Sequence, residues 1–383
     1  MKIAVLGFGV VGRGVVDMIE KAPNPELGYV LVRAGKADEP WKTDELDVIL
    51  SDESVDAVAE VMGGIEPARS YAERAIKAGK HFVTSNKALV AAHGLELSAL
   101  ARENGTAFLF SAACGGGVPF LHNLAWAVKT DEVKSLGGIL NGTTNYMLDA
   151  MQSKDWSYEE ALKDAQALGY AEADPTADVT GLDALRKIML ACAVGFDVLP
   201  QKGLLNEGID SLTADDVADF KKRGLVCRLL AKGEKTADGI SAYVEPWLMD
   251  KSAPECAVRK NYNMARYEGE CSGPMVLMGQ GAGRYPTASA VLRDLTYIGS
   301  GEYYMLSEKA CSGEADNSAS FHNYYVRLPK EFSGAFKCVE AETDGEVVRG
   351  VTEKMSVSEM HAAARSIRDK GAKIFFAGLE TEK

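Results

Sequence analysis

The 383-residue sequence predicts an α/β protein with three parts: an open, mostly parallel sheet domain, an α+β domain and a small α+β tail. Three observations carry this. Apolar strand-like runs alternate with amphipathic stretches over the first third, and a Gly-x-Gly-x-x-Gly loop directly follows the first run. Beyond residue 132 the alternation gives way to longer helical patterns. A chain of this length exceeds one ordinary core, which fits two or three domains. The expected boundaries are 1–132 plus 283–310, then 133–282, then 321–383.

The runs at 3–6, 29–32, 55–61, 81–85 and 106–111 read as short buried strands, with helices at 67–79 and 88–105 between some of them. Strands alternating with helices imply right-handed crossovers and parallel pairing. In the middle third a strand is expected at 132–140, helices at 145–153, 158–168 and 182–196, and strand-forming segments around 240–248 and 264–278. Pro286 opens a further helix. The polar run Cys-Ser-Gly-Glu-Ala-Asp-Asn-Ser-Ala-Ser from Cys311 reads as a linker. After it come a strand at 324–328, a helix at 357–370 and a strand at 373–379.

Composition excludes several classes. A formal charge of -13 argues against a general nucleic-acid or membrane-surface partner, so any anionic ligand must be held by local geometry. The opening residues Met-Lys-Ile-Ala-Val-Leu run straight into the glycine loop, as a strand does, and no apolar run is long enough to span a bilayer. Seven cysteines without a Cys-x-x-Cys pair are expected to be reduced thiols of a cytoplasmic protein, with no zinc site.

Gly7, Gly9 and Gly12, between a strand and an apolar helix, read as a Rossmann-type dinucleotide loop, the alternative being a glycine turn that holds no ligand. The glycines allow a tight turn and close approach of backbone to a pyrophosphate on the helix N-terminus. Phe8, Val10 and Val11 belong to the same loop. At the second strand's end, where an acid would select NAD, the sequence has Arg33 and Lys36. These either pair with the 2′-phosphate of NADP or are solvated loop cations.

Three segments hold polar groups that simple loops do not need. Ser85-Asn86-Lys87 ends a buried strand on the sheet's carboxyl edge, where Lys87 either meets a reacting oxygen or starts a helix in solvent. Asn141-Gly142-Thr143-Thr144 suits either a carboxylate ligand or a helix cap. The run from Gly169 to Lys187 contains Glu172, Asp174, Asp178 and the i,i+4 pair Asp183/Lys187, which share a helix face. A lone pair at this spacing is usually solvated. The flanking Leu182, Leu185, Ile188 and Met189 point to a buried helix.

Taken together, these segments resemble the homoserine dehydrogenase family. The matching runs are GFGVVGRGV, MGGIEPAR, AGKHFVTSNKALVAAHG, GILNGTTNYML, ALGYAEADPTADVTGLDALRK and GQGAGRYPTASAVLRDL, in family order over residues 1 to about 300. The resemblance implies reversible NADP- or NAD-dependent reduction of L-aspartate β-semialdehyde to L-homoserine by a homodimer. It implies that Lys187 and Lys87 flank the reacting oxygen, with Asp183 orienting Lys187. Glu172, Asp178, Thr143 and Tyr170 would bind substrate, and Gly63, Gly64, Ser85 and Lys87 would join the glycine loop around the cofactor. Ser111 stands where the family usually has a glutamate. A monovalent cation such as Na⁺ would therefore rest on the carbonyls of Cys114, Gly116 and Val118. The tail resembles a degenerate ACT module, expected to fold beyond the linker, so that a chain ending near Lys309 keeps most of its specific activity and threonine inhibits little. A different Rossmann reductase, or a catalytically silent sensor, are the competing readings; neither accounts for the Glu172–Lys187 run with both lysines kept.

Overall fold

A computed structural model describes residues 1–22, 24–304 and 306–380. The chain forms two compact units, one of Met1–Val133, Met189–Leu199 and Tyr267–Ser312, the other of Lys134–Ile188, Pro200–Arg266 and Gly313–Lys383.

The first unit holds β1 (Lys2–Leu6), α1 (Val10–Ile19), β2 (Glu26–Leu31), β3 (Lys42–Thr43), α2 (Leu46–Ser51), β4 (Val55–Glu60), α3 (Ala68–Lys77), β5 (His81–Thr84), α4 (Lys87–Glu103) and β6 (Phe108–Leu109). All pairings are parallel and the order is β3-β2-β1-β4-β5-β6, the doubly wound arrangement with its reversal between β1 and β4. The alternating pattern is the cause: Ile3–Leu6 and Ala57–Ala59 are fully buried, as strands covered on both faces must be. The two-residue β3 and six-residue α2 are too short to leave a periodic signal. A distant segment completes the core, since the helix Arg284–Ser300 places Ala288, Val291 and Leu295 in one cluster with Val15, Val16 and Ile19. This helix starts two residues ahead of the expected Pro286.

The second unit is built on a long antiparallel pair, Leu225–Thr236 with Gly239–Asp250, in register from Leu225↔Asp250 to Thr236↔Gly239. Val133–Ile139 pairs along the free side of Leu225–Thr236. Its Gly137-Gly138 is explained by crowding: a Cβ on Gly138 would stand 2.1 Å from the Met264 carbonyl oxygen. The helices Gly142–Lys154, Tyr158–Ala167 and Leu182–Gly195 form where the sequence patterns place them. The expected segment around 264–278 is two strands, Tyr262–Gly269 and Gly273–Gln280.

Two expectations about the C-terminal third are corrected. The run from Cys311 is no linker. Cys311–Glu314 is a strand paired with Val198–Lys202, and Asn317 is buried. The Asn317 amide oxygen accepts from Ser241 Oγ (2.6 Å) and Ala242 N (2.9 Å), while its nitrogen donates to the Gly203 carbonyl. Small polar residues here serve close packing rather than flexibility.

The tail, likewise, is no separate module. Its strands Phe321–Pro329, Cys338–Asp344, Val347–Thr352 and Phe375–Leu379 lie in the order fourth, first, third, second, with one helix, Val357–Asp369, and a single 3₁₀ turn, Lys330–Ala335, where a first helix would stand. Phe375–Leu379 joins Gly239–Asp250 in parallel, pairing Trp247 with Gly378 and Leu248 with Leu379. The buried Glu245 carboxylate lies 2.8 Å from His361 Nε2, and Arg368 donates to Glu207. A chain ending near Lys309 would expose the Tyr243/Trp247 core and leave Glu245 and Glu207 buried without partners. Such a truncation is expected to lose solubility or fall well below the full chain in melting temperature. A soluble, fully active truncation would show that the tail bonds are dispensable.

Candidate active site

The catalytic candidates of the second unit converge on one amide. Asn141, between the strand Val133–Ile139 and the helix Gly142–Lys154, caps that helix by accepting from Thr144 N at 2.9 Å. Its amide nitrogen donates to Asp178 Oδ1 at 2.7 Å and Asp183 Oδ2 at 2.9 Å. Asp183 Oδ2 also accepts from Lys187 Nζ at 2.6 Å, and Lys187 donates to the Leu140 carbonyl at 2.6 Å. Asp183 and Lys187 are 7 % exposed each, so this is the buried pair rather than the solvated one.

Asp178, half-buried on the short helix Thr176–Val179, has its carboxyl held above the usual aspartate range. Burial is the main cause; the Asn141 hydrogen bond opposes it and the Asp183 carboxylate adds to it. Thr143 Oγ1 donates to the Tyr170 carbonyl at 2.6 Å, and the Tyr170 ring packs edge-on against Tyr146. Thr143, Tyr170, Asp178, Asp183 and Lys187 are thus gathered. Glu172 lies exposed on the preceding turn, its carbonyl accepting from Gln166. Asn141 is what the residue reading missed: it was legible as a cap, while its amide nitrogen's bridge depends on partners 37 and 42 residues away.

In the first unit the glycine loop has the geometry an anionic cofactor requires. Gly7 takes φ +103°, and a Cβ on Gly12 would stand 2.1 Å from the Gly7 carbonyl oxygen, so no other residue closes this turn. Gly9 caps α1 with no side chain, and a Cβ there would meet nothing within 4 Å. The backbone N–H groups of Val10, Val11 and Gly12 open the helix, the positive end of its dipole. Phe8 packs edge-on against Trp41 at 5.5 Å. Arg33 and Lys36 stand exposed in a turn closed by Lys36 N to the Arg33 carbonyl. After β4, Glu60 accepts from the N–H groups of Met62 and Gly63, and Gly63 and Gly64 have positive φ. After β5, Ser85 N donates to the Glu60 carbonyl, Asn86 caps α4, and half-buried Lys87 is the helix's first residue. All these groups lie at the carboxyl ends of β1, β2, β4 and β5, where such sheets bind ligands.

Comparison with known proteins agrees with both halves. The family profile described as "Homoserine dehydrogenase, NAD binding domain" matches residues 7–111, and that described as "Homoserine dehydrogenase" matches 119–296. The homoserine dehydrogenase of Synechocystis sp. is 39% identical over 316 residues, covering 78% of this chain and 73% of its own. That of Bacillus subtilis is 36% identical over 314 residues, covering 78% and 72%. The chain belongs to the homoserine dehydrogenase family. It is an NAD(P)-dependent oxidoreductase that interconverts L-aspartate β-semialdehyde and L-homoserine, on the route to threonine, methionine and isoleucine. Among solved structures, the Thiobacillus denitrificans homoserine dehydrogenase superposes with TM-score 0.87 at 28% identity, covering 99% of this chain and 98% of its own. The S. aureus enzyme gives 0.78 at 30% identity, covering 100% and 99%. The tail therefore falls within the superposed length.

Ser111 sits in a buried polar knot. Its N–H donates to Asp294 Oδ2 at 2.9 Å and its hydroxyl meets Tyr304 OH at 3.0 Å. Among the described residues no cluster of three or more His, Cys, Asp or Glu side chains can hold a metal. The backbone turn of Cys114, Gly116 and Val118 remains, with the Val118 carbonyl accepting from Phe120 N. Burial pushes the Asp294 carboxyl up to about 7, against the pull of its Ser111 hydrogen bonds. A carboxyl whose folded pKa is raised favours folding while protonated, so its contribution is complete below 3.8 and is lost as pH rises through about 7. Melting temperature is therefore expected to decline across that window in the native chain and to be flatter in Asp294→Asn. Identical pH profiles in the two proteins would remove Asp294 from this role.

Proposed function

We propose that Lys187 handles the proton at the reacting oxygen and that Asp183 positions it. The supporting observation is the buried Lys187 ammonium, 2.6 Å from both Asp183 Oδ2 and the Leu140 carbonyl. In the reductive direction charge develops on the aldehyde oxygen; a preorganised ammonium stabilises it and delivers the proton at that atom. The nicotinamide, when bound, supplies the hydride. The resemblance assigns Lys87 the part of second cation. Asp178 and Glu172 would take the substrate ammonium, with Thr143 and Tyr170 beside the amino-acid end. An arriving ammonium would favour the ionised form of Asp178, reversing the effect of its burial.

For the cofactor we propose NADP, with Arg33 and Lys36 as partners of the 2′-phosphate; no carboxylate occupies those positions at the end of β2. A monovalent cation such as Na⁺ would rest on the carbonyls of Cys114, Gly116 and Val118, without a side-chain charge from Ser111. The chain would act as a cytoplasmic homodimer through its second unit. Among the described residues no helix is long and apolar enough to cross a membrane. The tail, with its fourth-first-third-second strand order and one helix reduced to a turn, would be a degenerate ACT-type fold.

Lys187→Ala is expected to lower kcat by roughly 10²-fold or more, the range for a lost general acid, with cofactor affinity little changed. Asp183→Ala should fall between it and the native chain. A folded Lys187→Ala protein with near-native turnover would exclude this lysine from the chemistry. Changing Arg33 and Lys36 together to Ala should weaken NADP⁺ binding far more than NAD⁺ binding. Equal losses, or a native preference for NAD⁺, would refute the NADP reading.

A further inference from the structure

The second unit holds a cavity of about 490 Å³ whose lining includes Asp149, Ser153, Lys221, Arg228, Lys251 and Arg259. None of these belongs to the cluster around Asn141. Four cations face one carboxylate in a chain of net charge -13. Even counting Asp155, which pairs with Lys221, two positive charges remain in excess. Asp149 is divided between two guanidinium groups, with Oδ1 2.7 Å from Arg259 Nε and 3.8 Å from Arg228.

Arg228 is the decisive residue. Its side chain is 2 % exposed, and its Nη1 donates to the Cys227 carbonyl at 3.0 Å. Its Nη2 reaches the Cys256 and Val258 carbonyls only at 3.5 and 3.4 Å, and its buried Nε has no partner among the described residues. Burying a guanidinium this deeply without a close, dedicated carboxylate is costly, and an anion in the cavity offsets that cost.

We infer that this cavity binds a small polyanion of charge -2 or more, a phosphomonoester or a dicarboxylate. Its anionic oxygens would complete the coordination of Arg228 and Arg259, while Lys251 and Lys221 close the rim. Guanidinium forks suit such planar or tetrahedral oxyanions, and the volume lies within the range of small-molecule sites.

The site is joined to the active-site cluster by one helix. Asp149 and Ser153 lie on Gly142–Lys154, whose N-cap is Asn141, roughly 12–18 Å away along the axis at 1.5 Å per residue. Asn145 of that helix donates to the carbonyls of Val258, Lys260 and Tyr262, and Lys260 N donates back to Asp149 Oδ2. Ligand that draws on Arg259 and the segment around it therefore pulls on the helix that holds Asp178 and Asp183 in place.

Calorimetric titration of the full chain with inorganic phosphate, pyrophosphate and succinate, at constant ionic strength and against chloride, tests this. The comparison protein is Lys251→Ser/Arg259→Ser; the Arg259 side chain is 61% exposed, so its loss spares the core. Arg228→Met, of similar length, is the second variant. Saturable binding of at least one polyanion is expected, weakened tenfold or more in both variants, together with a shift in homoserine KM that only the native chain shows. Tighter phosphate or pyrophosphate identifies a phosphomonoester site, and tighter succinate a dicarboxylate site. No saturable binding beyond chloride, or equal binding in the native chain and the double variant, would overturn the site. Saturable binding with an unmoved KM would overturn its link to the active-site helix.

Discussion

Two carboxylates accept from one amide nitrogen, one of them also accepts from a buried ammonium, and much of the second unit is arranged to permit it. Asp178 and Asp183 repel each other, and burial disfavours the charge on Asp178. Asn141 relieves this by donating to each, at 2.7 and 2.9 Å. The amide can do so because its oxygen is already committed to the N-terminus of the helix Gly142–Lys154. A cap that would ordinarily contribute about 1 kcal/mol to a helix here also orients the nitrogen. Losing Asp183 from such an arrangement strands a buried charge, a loss that typically costs about 3–5 kcal/mol.

The frame that holds Asn141 is the sheet. Gly137 and Gly138 let the strand Val133–Ile139 pass closely between its neighbours, and the chain leaves that strand directly into Leu140 and Asn141. Leu140 supplies a carbonyl that receives Lys187, so the strand end holds the lysine by backbone while Asp183 holds it by side chain. The long pair Leu225–Thr236/Gly239–Asp250 continues the same sheet, and the C-terminal strand Phe375–Leu379 is hydrogen-bonded to it. The tail is in this way part of the support of the active-site unit, which no local reading of its residues would show.

That contrast marks what the amino-acid order reveals. The glycine loop, the Asp183/Lys187 pair and the helix at Asn141 are legible because their signals are local: a turn that admits only glycine, a four-residue spacing, a cap followed by helical residues. The parallel pairing of the first sheet is legible for the same reason, since strands joined through helices run in one direction. What escapes depends on distant partners. Asn317 looks like linker composition until Ser241, Ala242 and Gly203 are beside it. The tail looks autonomous because its own core is apolar, with Tyr324, Val326, Met360 and Phe376 clustered. What joins it to the rest is the register of Trp247 and Leu248 with Gly378 and Leu379, together with the partners of Glu245 and Glu207.

Charge presents the remaining problem, since a chain of net charge -13 must hold a cofactor bearing several phosphate charges. Mean charge acts weakly at this range: screening limits exposed charges to about 8 Å at physiological salt. Within that distance of the glycine loop what counts is oriented backbone, the N–H groups opening α1 beyond a Gly9 that has no side chain to intrude. Arg33 and Lys36 add positive charge only at the end of β2, where the cofactor's 2′-position is read. Around Arg228 too the positive groups are local, a buried guanidinium among three further cations. In an acidic protein anion recognition therefore depends on local groups, backbone N–H donors and a few placed cations, rather than on net charge.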